Sequence, residues 1–183
     1  AVTGVQTCAL PIYIVDELLL LATVREAEVR PEPLDMSRII ACAESRIEYA
    51  RNKKKATIKH LTTDWPTALG QSSWVEEVWV NYLSNAIKYG GEPPIIELGA
   101  EVIGDAVRCW VRDNGPGVSP EDRKKLFVPF SRLHQIRATG QGLGLSIVQR
   151  IISRLGGEVG VGSRPDGGST FYFTLPLAEP SEG

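Results

Sequence analysis

Two asparagines and a lysine share one stripe of a segment that the sequence predicts to be helical. Asn81, Asn85 and Lys88 are spaced i, i+4 and i+7, which places them on one side of a helix. Asparagine is unfavourable in helix interiors, so two of them one turn apart need a reason. An amide oxygen can ligate a Mg²⁺ ion that phosphates and water already largely surround, and an ammonium can bind a phosphate. The pattern alone leaves a solvated helix face equally open.

Two segments that combine glycines with polar groups follow further along the chain. Residues 113–118 read DNGPGV, where the Asp113 carboxylate ends a predicted strand and glycines let the backbone approach a planar ligand. Residues 140–145 read GQGLGL and open a predicted helix, whose N-terminus favours anions. Neither a dinucleotide-binding glycine fingerprint within a βαβ unit nor a Walker P-loop is present. Each segment alone is also compatible with an ordinary turn or a flexible helix entry.

Hydrophobic periodicity predicts the helices that must position these residues. We expect Ser37 to cap a helix with the apolar face Ile40, Ala43, Ile47 and Ala50. A second helix is expected to begin at a capping box of Ser73 and Glu76 and to end before Gly90, with Val75, Val78, Tyr82 and Ala86 facing a sheet. A short helix capped by Ser119 and an amphipathic helix over 143–155 complete the set.

Strand patterns predict a sheet with hairpins at its centre and end. A short strand follows residue 30, and residues 56–66 read as another strand. Turn residues at 104–105 and 164–167 each separate two strand patterns, which indicates two hairpins. We therefore expect an α+β fold: one mixed, mostly antiparallel sheet with helices on one face.

Composition excludes several classes of protein. A chain of 183 residues can bury roughly 70% of its unfolded surface. Its formal net charge of −2 argues against a nucleic-acid partner. Two histidines and three cysteines without metal-binding spacing argue against zinc and against a disulfide framework. The longest apolar run is too short for a membrane span, and the scattered cysteines point to a reducing compartment. A cytoplasmic location without membrane contact by this fragment is therefore expected, and a membrane anchor upstream in the parent protein is left open.

In their order and spacing, the segments resemble the ATP-binding catalytic domain of sensor histidine kinases. These domains belong to the Bergerat-fold superfamily, shared with type II topoisomerases, mismatch-repair ATPases and a heat-shock chaperone. Five motifs carry the resemblance: NYLSNAIKYG at 81–90, DNGPGV at 113–118, LFVPF at 126–130, GQGLGLSIV at 140–148 and GGSTFYFTLP at 167–176. The resemblance implies a two-layer α/β sandwich that uses ATP and Mg²⁺.

The resemblance also implies roles for individual residues. Asn85 would coordinate Mg²⁺ with Asn81 assisting, and Lys88 would reach the phosphates. Asp113 would accept a hydrogen bond from the adenine amino group, with Gly117 against the base. Supporting roles would fall to Thr170 near Asp113, to Phe127 and Phe130 as anchors of a short lid at 131–139, and to Arg132 and Arg137 of that lid near the γ-phosphate. The remaining nucleotide-binding positions implied are Tyr89, Gly115, Val118, Gly140, Gln141, Gly142, Leu143, Gly144 and Leu145.

One position separates transfer from hydrolysis within this superfamily. Hydrolysing members carry a water-activating glutamate one turn before the metal-binding asparagine, and here that residue is Asn81. Glu77 lies another turn back, roughly 6 Å further along the helix axis, and is a poor substitute. The resemblance therefore implies phosphoryl transfer to a protein.

Domain boundaries follow from the same comparison of motifs. Residues 1–12 are interpreted as a non-native segment, since 2–12 resemble a translated sequencing adaptor; a disordered terminus is the alternative. Residues 13–30 resemble the end of a dimerisation helix, 31–178 form the catalytic domain and 179–183 a tail.

The partners implied are a dimerisation domain carrying the acceptor histidine and a response regulator. Neither His60 nor His134 has the acidic neighbour typical of an acceptor, so this chain is expected to bind ATP without phosphorylating itself. The alternatives are a stand-alone serine kinase of the anti-sigma type and a regulatory nucleotide-binding module.

Overall fold

The computed structural model describes residues 30–123, 125–127, 144–163 and 167–178. The described helices are α1 (Met36–Lys54), α2 (Ser72–Tyr89), α3 (Pro120–Arg123) and α4 (Gly144–Arg154). The described strands are β1 (Glu32–Pro33), β2 (Thr57–His60), β3 (Leu69–Gly70), β4 (Ile95–Ile103), β5 (Ala106–Asp113), β6 (Val159–Ser163) and β7 (Ser169–Pro176). The predicted segments 1–12 and 179–183, nearly all of 13–30 and the lid at 131–139 lie outside the described residues.

Five strands form one sheet in the order β2-β4-β5-β7-β6. Only β2 and β4 run parallel among these neighbours, so the expectation of a mixed, mostly antiparallel sheet is confirmed. The hairpin predicted at 104–105 joins β4 to β5, and Gly104 takes a positive φ of 60° in its turn. The second predicted hairpin is also found, with β6 antiparallel to β7.

Alternation along β5 separates the two faces of the sheet. Val107, Cys109 and Val111 are buried beneath the helices, whereas the intervening arginines and Trp110 are only partly buried. On this outer face Trp110 pairs across the strands with Gly99, whose lack of a side chain leaves room for the indole ring. The helices thus cover one face only, as expected for a two-layer α/β sandwich.

Helix α2 is the main link between the helical layer and the sheet. Its residues Val75, Val78, Tyr82 and Ala86 are all buried, which confirms the predicted sheet-facing stripe. Trp79 also packs inward, with its ring centroid 5.4 Å from that of Phe173 on β7. The Tyr82 hydroxyl donates a hydrogen bond of 3.0 Å to the Tyr172 carbonyl oxygen. These contacts fix the orientation of α2, and with it the adjacent stripe that carries the polar residues.

The predicted starts of α1 and α2 are each wrong by about two residues, whereas Ser119 caps α3 as expected. Asp35, not Ser37, caps α1, because its carboxylate accepts the Arg38 N–H at 3.1 Å. Helix α2 begins at Ser72 after Gln71, and the expected capping box does not form. Its Glu76 carboxylate instead binds Arg46 on α1 at 3.0 Å, so it is engaged between helices rather than at the helix start.

Two further expectations about the helical layer and its neighbours are corrected. Ala50 is exposed, and Met36 and Ile39 join the predicted apolar face of α1. The strand predicted over 56–66 is limited to Thr57–His60. Strand β3 had no recognisable pattern because it has only two residues.

A small second sheet joins the two ends of the described domain. Strand β1 pairs with β3, and the Leu34 N–H donates to the Ala68 carbonyl oxygen at 2.9 Å. From the other end, the Ala178 N–H donates to the Thr67 carbonyl oxygen at 2.9 Å. Residues 67–68, just before β3, therefore bind both the first and the last part of the described domain. Among the helices of the described ranges, none combines the length and apolarity that a bilayer crossing requires.

Candidate nucleotide-binding site

Asp113 ends the central strand β5 as a buried carboxylate. Its Oδ1 accepts two backbone hydrogen bonds, from the Gly115 N–H at 2.8 Å and the Ser169 N–H at 3.2 Å. Burial raises the pKa of the Asp113 carboxyl above its ordinary value, and these two hydrogen bonds offset part of that shift. Because both bonds go to Oδ1, the carboxylate is held in one orientation while Oδ2 stays available as an acceptor.

Glycines surround Asp113 where the backbone packs too closely for side chains. A Cβ at Gly168 would collide with the Asp113 carbonyl oxygen, and one at Gly115 would collide with the Tyr89 carbonyl oxygen. Gly117 has a positive φ of 81°, a conformation that other residues rarely adopt. The backbone around Asp113 is therefore closely packed, and side chains at Gly115 and Gly168 would disturb the position of its carboxylate.

The loop after Asp113 is tied to the end of β6. The Val118 N–H donates to the Ser163 Oγ at 3.3 Å, and the same hydroxyl donates to the Val118 carbonyl oxygen at 2.8 Å. Arg123 on α3 also donates to the Val118 carbonyl oxygen, at 3.3 Å. The glycine-containing loop is therefore held on both sides, by β6 and by α3.

Helix α2 carries the three predicted polar residues along a partly buried stripe. Asn81, Asn85 and Lys88 are each intermediate in exposure. Within the described residues, the Asn85 side chain has no hydrogen-bond partner, so its amide oxygen can still take a ligand. The Lys88 ammonium lies 5.1 Å from the Tyr89 ring centroid, at the same end of α2 that packs against Gly115. The structure thus brings Lys88 and Asp113 to one end of the domain.

Asn81 links α2 to the start of α4. Its Nδ2 donates to the Glu77 carbonyl oxygen at 2.9 Å, and its Oδ1 lies directly against Gly144, where a Cβ would collide with it. Gly144 is the first residue of α4 and Leu145 is partly buried against the core. The motifs at 81–90 and 140–148 therefore meet here, although they are far apart in the sequence.

Glu77 is engaged away from this stripe. Its carboxylate forms an ion pair with Arg46 on α1, at 2.5 Å. The sequence-based interpretation that Glu77 is a poor substitute for a water-activating base agrees with this pairing.

The other predicted site residues divide between the described and the remaining parts of the chain. Thr170 lies opposite Arg112 in the β5–β7 pairing, next to Asp113 in the sheet, and Phe127 is partly buried in a turn after α3. The predicted residues that lie outside the described ranges are Phe130, Arg132, His134, Arg137, Gly140, Gln141, Gly142 and Leu143.

Sequence reasoning missed three residues that shape the site. The Ser169 N–H binds Asp113, Ser163 holds the Val118 backbone, and Asn114 binds the loop after α2 through three hydrogen bonds. Asn114 could have been noticed as a turn-forming residue, but its partners are about twenty positions earlier in the chain. Backbone groups such as the Ser169 N–H leave no signal in side-chain patterns.

The arrangement fits a purine nucleotide and a phosphate-bound magnesium ion. Among the described residues the Oδ2 of Asp113 has no hydrogen-bond partner, and such a buried carboxylate oxygen can accept a hydrogen bond from an exocyclic amino group. The described residues contain no cluster of three or more His, Cys, Asp or Glu that could hold a metal by itself. An asparagine oxygen suits a Mg²⁺ ion whose other ligands are mainly phosphates and water.

Comparison with known proteins agrees with this geometry. A family model described as histidine kinase-, DNA gyrase B-, and HSP90-like ATPase matches residues 70–179. The chain is 35% identical over 160 residues to the adaptive-response sensory kinase SasA of Thermosynechococcus vestitus, covering 82% of this chain and 40% of that protein. It is 30% identical over 179 residues to the phytochrome-like protein Cph1 of Synechocystis sp., covering 97% of this chain and 23% of that protein. The chain therefore spans less than half the length of these curated relatives.

Solved structures show the same fold. Full-length ShkA in complex with AMPPNP aligns with a TM-score of 0.78 at 29% identity, covering 93% of this chain and 36% of that one. Histidine kinase ThkA in complex with the response regulator TrrA aligns with a TM-score of 0.70 at 24% identity, covering 97% and 53%. The chain belongs to the family of histidine kinase-, DNA gyrase B- and HSP90-like ATPases, as a catalytic domain of the histidine-kinase type.

Proposed function

We propose that this domain binds Mg·ATP and transfers the γ-phosphoryl group to a histidine on a separate dimerisation domain. The observation that carries the proposal is Asp113: a buried carboxylate, oriented by two backbone N–H groups, at the end of the molecule where α2 presents Lys88. Family membership and the likeness to histidine kinases support it.

Adenine recognition would depend on Asp113 and its glycine surroundings. The Oδ2 of an ionised Asp113 accepts a hydrogen bond from the adenine amino group, while Oδ1 stays bound to Gly115 and Ser169. Guanine carries an oxygen at the equivalent position, and two acceptors facing each other in a buried site repel. The proposed site therefore selects ATP over GTP. Gly117 would lie against the base, and Gly168 lets the backbone pack directly against the Asp113 carbonyl oxygen.

The phosphates would be bound by the partly buried stripe of α2 that carries Asn81, Asn85 and Lys88. The Asn85 amide oxygen would hold Mg²⁺, with Asn81 assisting, and Lys88 would bind phosphate oxygens. The bound metal ion would neutralise charge on the phosphate chain. Arg132 and Arg137 are proposed to add positive charge near the γ-phosphate. Phosphoryl transfer depends mainly on such positioning and neutralisation, because the protein supplies little covalent chemistry.

The acceptor is proposed to be a histidine nitrogen rather than water. The P–O bond to the β-phosphate breaks, a P–N bond forms and ADP leaves. Asn81 cannot act as a base for water, and Glu77 is paired with Arg46. The proposed partners are the dimerisation domain that carries this histidine and a response regulator, as in the ThkA complex. We also propose a cytosolic location, because the reaction consumes cytosolic ATP and the described cysteines are free thiols.

The adenine site is tested by binding of Mg·ATP to wild type and to Asp113→Asn, measured by calorimetry. We expect binding by the wild type and at least roughly tenfold weaker binding by the variant, since an amide hydrogen bond is weaker than one to a charge. Asp64→Asn, at an exposed position, is the matched control and should bind as the wild type does. Equal affinity of wild type and Asp113→Asn would rule out the assignment.

The reaction itself is tested with radiolabelled ATP and an isolated dimerisation domain from a related kinase. We expect label to appear on the acceptor histidine in an acid-labile form, since phosphohistidine is lost in acid. Asn85→Ala should remove the labelling because the metal ion loses its proposed ligand. Steady ATP hydrolysis without labelled protein would favour the ATPase branch of the family, and label on serine would favour the anti-sigma type.

A further inference from the structure

Asn114 connects the end of β5 to the loop that follows α2. Its Oδ1 accepts two backbone hydrogen bonds, from the Gly91 N–H at 3.0 Å and the Ile95 N–H at 2.8 Å. Its Nδ2 donates to the Pro93 carbonyl oxygen at 3.1 Å. One side chain thus binds three backbone groups across residues 91–95. These hydrogen bonds close the loop onto the strand end next to Asp113.

Close backbone contacts surround the Asn114 side chain, so the junction between the end of β5 and the loop at 91–95 is tightly packed. A Cβ at Gly91 would lie 2.6 Å from the Asn114 Nδ2, and a Cβ at Gly115 would collide with the Tyr89 carbonyl oxygen. Gly90 caps α2 by donating its N–H to the Ala86 carbonyl oxygen at 2.9 Å. The last turn of α2 is therefore held against the backbone of 113–115.

This junction separates the two halves of the proposed nucleotide site. Asp113, immediately before Asn114, is the proposed adenine ligand. Asn85 and Lys88, in the last two turns of α2, are the proposed metal and phosphate ligands. Packing on β7 orients the middle of α2, and the junction with β5 sets where its last turn lies relative to Asp113.

We propose that Asn114 is a positioning residue that sets the span between the adenine-binding carboxylate and the phosphate-binding end of α2. The inference rests on the proposed function, because it takes both halves of the site from there. Asparagine suits this place since it offers an acceptor for two N–H groups and a donor for one carbonyl. Aspartate keeps the acceptor but turns a carboxylate oxygen toward the Pro93 carbonyl oxygen, and alanine removes all three bonds.

The test compares two ligands that share adenine and differ in phosphates. Binding of adenosine and of Mg·ADP is measured by NMR chemical-shift titration, which follows weak affinities, for wild type, Asn114→Asp and Asn114→Ala. We expect adenosine affinity to stay within about twofold and Mg·ADP affinity to fall by at least roughly tenfold, as for other misplaced binding groups. Asn52→Asp, at an exposed position on α1, should change neither affinity.

The ratio of the two affinities separates positioning from loss of structure. A partly unfolded variant binds both ligands more weakly by the same factor, so the ratio stays constant. An unchanged ratio, whether both affinities fall or neither does, would overturn the role of Asn114. If Asn114→Ala does not fold, Asn114→Asp decides the outcome. A wild type that binds neither ligand would instead refute the proposed function.

Discussion

At the scale of single residues, Asp113 illustrates how a ligand-binding group can oppose folding. Desolvation of its carboxylate raises the pKa of Asp113, and the Gly115 and Ser169 N–H groups compensate only in part. A pKa that is higher in the folded state means that the native protein binds the proton more tightly than the unfolded chain does. The contribution of this group to stability is therefore full at low pH and is lost as the pH rises through the folded-state pKa.

Asp113→Asn is accordingly expected to raise the unfolding temperature at neutral pH while it weakens nucleotide binding. The amide carries no charge to desolvate, and its oxygen can still accept the two backbone hydrogen bonds. The difference in unfolding temperature between Asp113→Asn and the wild type should become smaller as the pH falls through the pKa of Asp113, because the wild-type carboxyl then also becomes neutral. Thermal unfolding followed by circular dichroism from neutral pH to about pH 4 measures this. A difference that is independent of pH, or present equally in Asp64→Asn, would contradict it.

At the scale of elements, helix α2 shows what the sequence could and could not predict. Its 3.6-residue periodicity predicted both the buried stripe and the polar stripe with Asn81 and Asn85. Its start was misplaced because Gln71, the residue before the helix, makes no side-chain capping hydrogen bond and so leaves no signal in the sequence. Glu76 of the expected capping box pairs with Arg46 instead. Turn residues likewise predicted both hairpins, whereas the two-residue strand β3 is too short for any pattern.

Attachment of α2 to the sheet is expected to depend measurably on the Tyr82 hydroxyl. Tyr82→Phe keeps the buried ring but removes the donor to the Tyr172 carbonyl oxygen, so the free energy of unfolding should fall by about 1 kcal/mol. Urea denaturation measures the change. Tyr49→Phe is the matched control, because Tyr49 is 78% exposed and should show no effect. Equal midpoints for the two variants would show that the hydroxyl contributes nothing to this packing.

At the scale of the whole molecule, the order of the strands was beyond sequence reasoning. Hairpins follow from local turns, but the parallel pairing of β2 with β4 and the neighbouring of β5 and β7 depend on contacts far apart in the chain. The same holds for the site: Asp113 was predicted from its own segment, whereas Ser169, 56 residues later, reaches it only through the β5–β7 pairing. Side-chain types predicted the candidate ligand-binding residues, whereas the backbone N–H groups that orient Asp113 could be found only in the folded sheet.

Removal of residues 1–12 is expected to leave both stability and nucleotide binding unchanged. The core of the described residues lies between Leu34 and Leu177, and we propose that the non-native segment contributes neither to it nor to the nucleotide site. Unfolding temperature and Mg·ATP affinity of the truncated chain, each compared with the full chain, measure this. A fall in either would assign the segment to the domain.

The two ends of the described domain lie close together, because both are hydrogen-bonded to the short segment just before β3. Leu34 near the start and Ala178 near the finish donate hydrogen bonds to the carbonyls of two adjacent residues, Ala68 and Thr67. A domain whose two ends lie close together can be inserted into a loop of another protein without separating the two sides of that loop. For the same reason, a circular permutant that joins these ends by a short linker and opens at the Gly104 turn should keep the sheet intact.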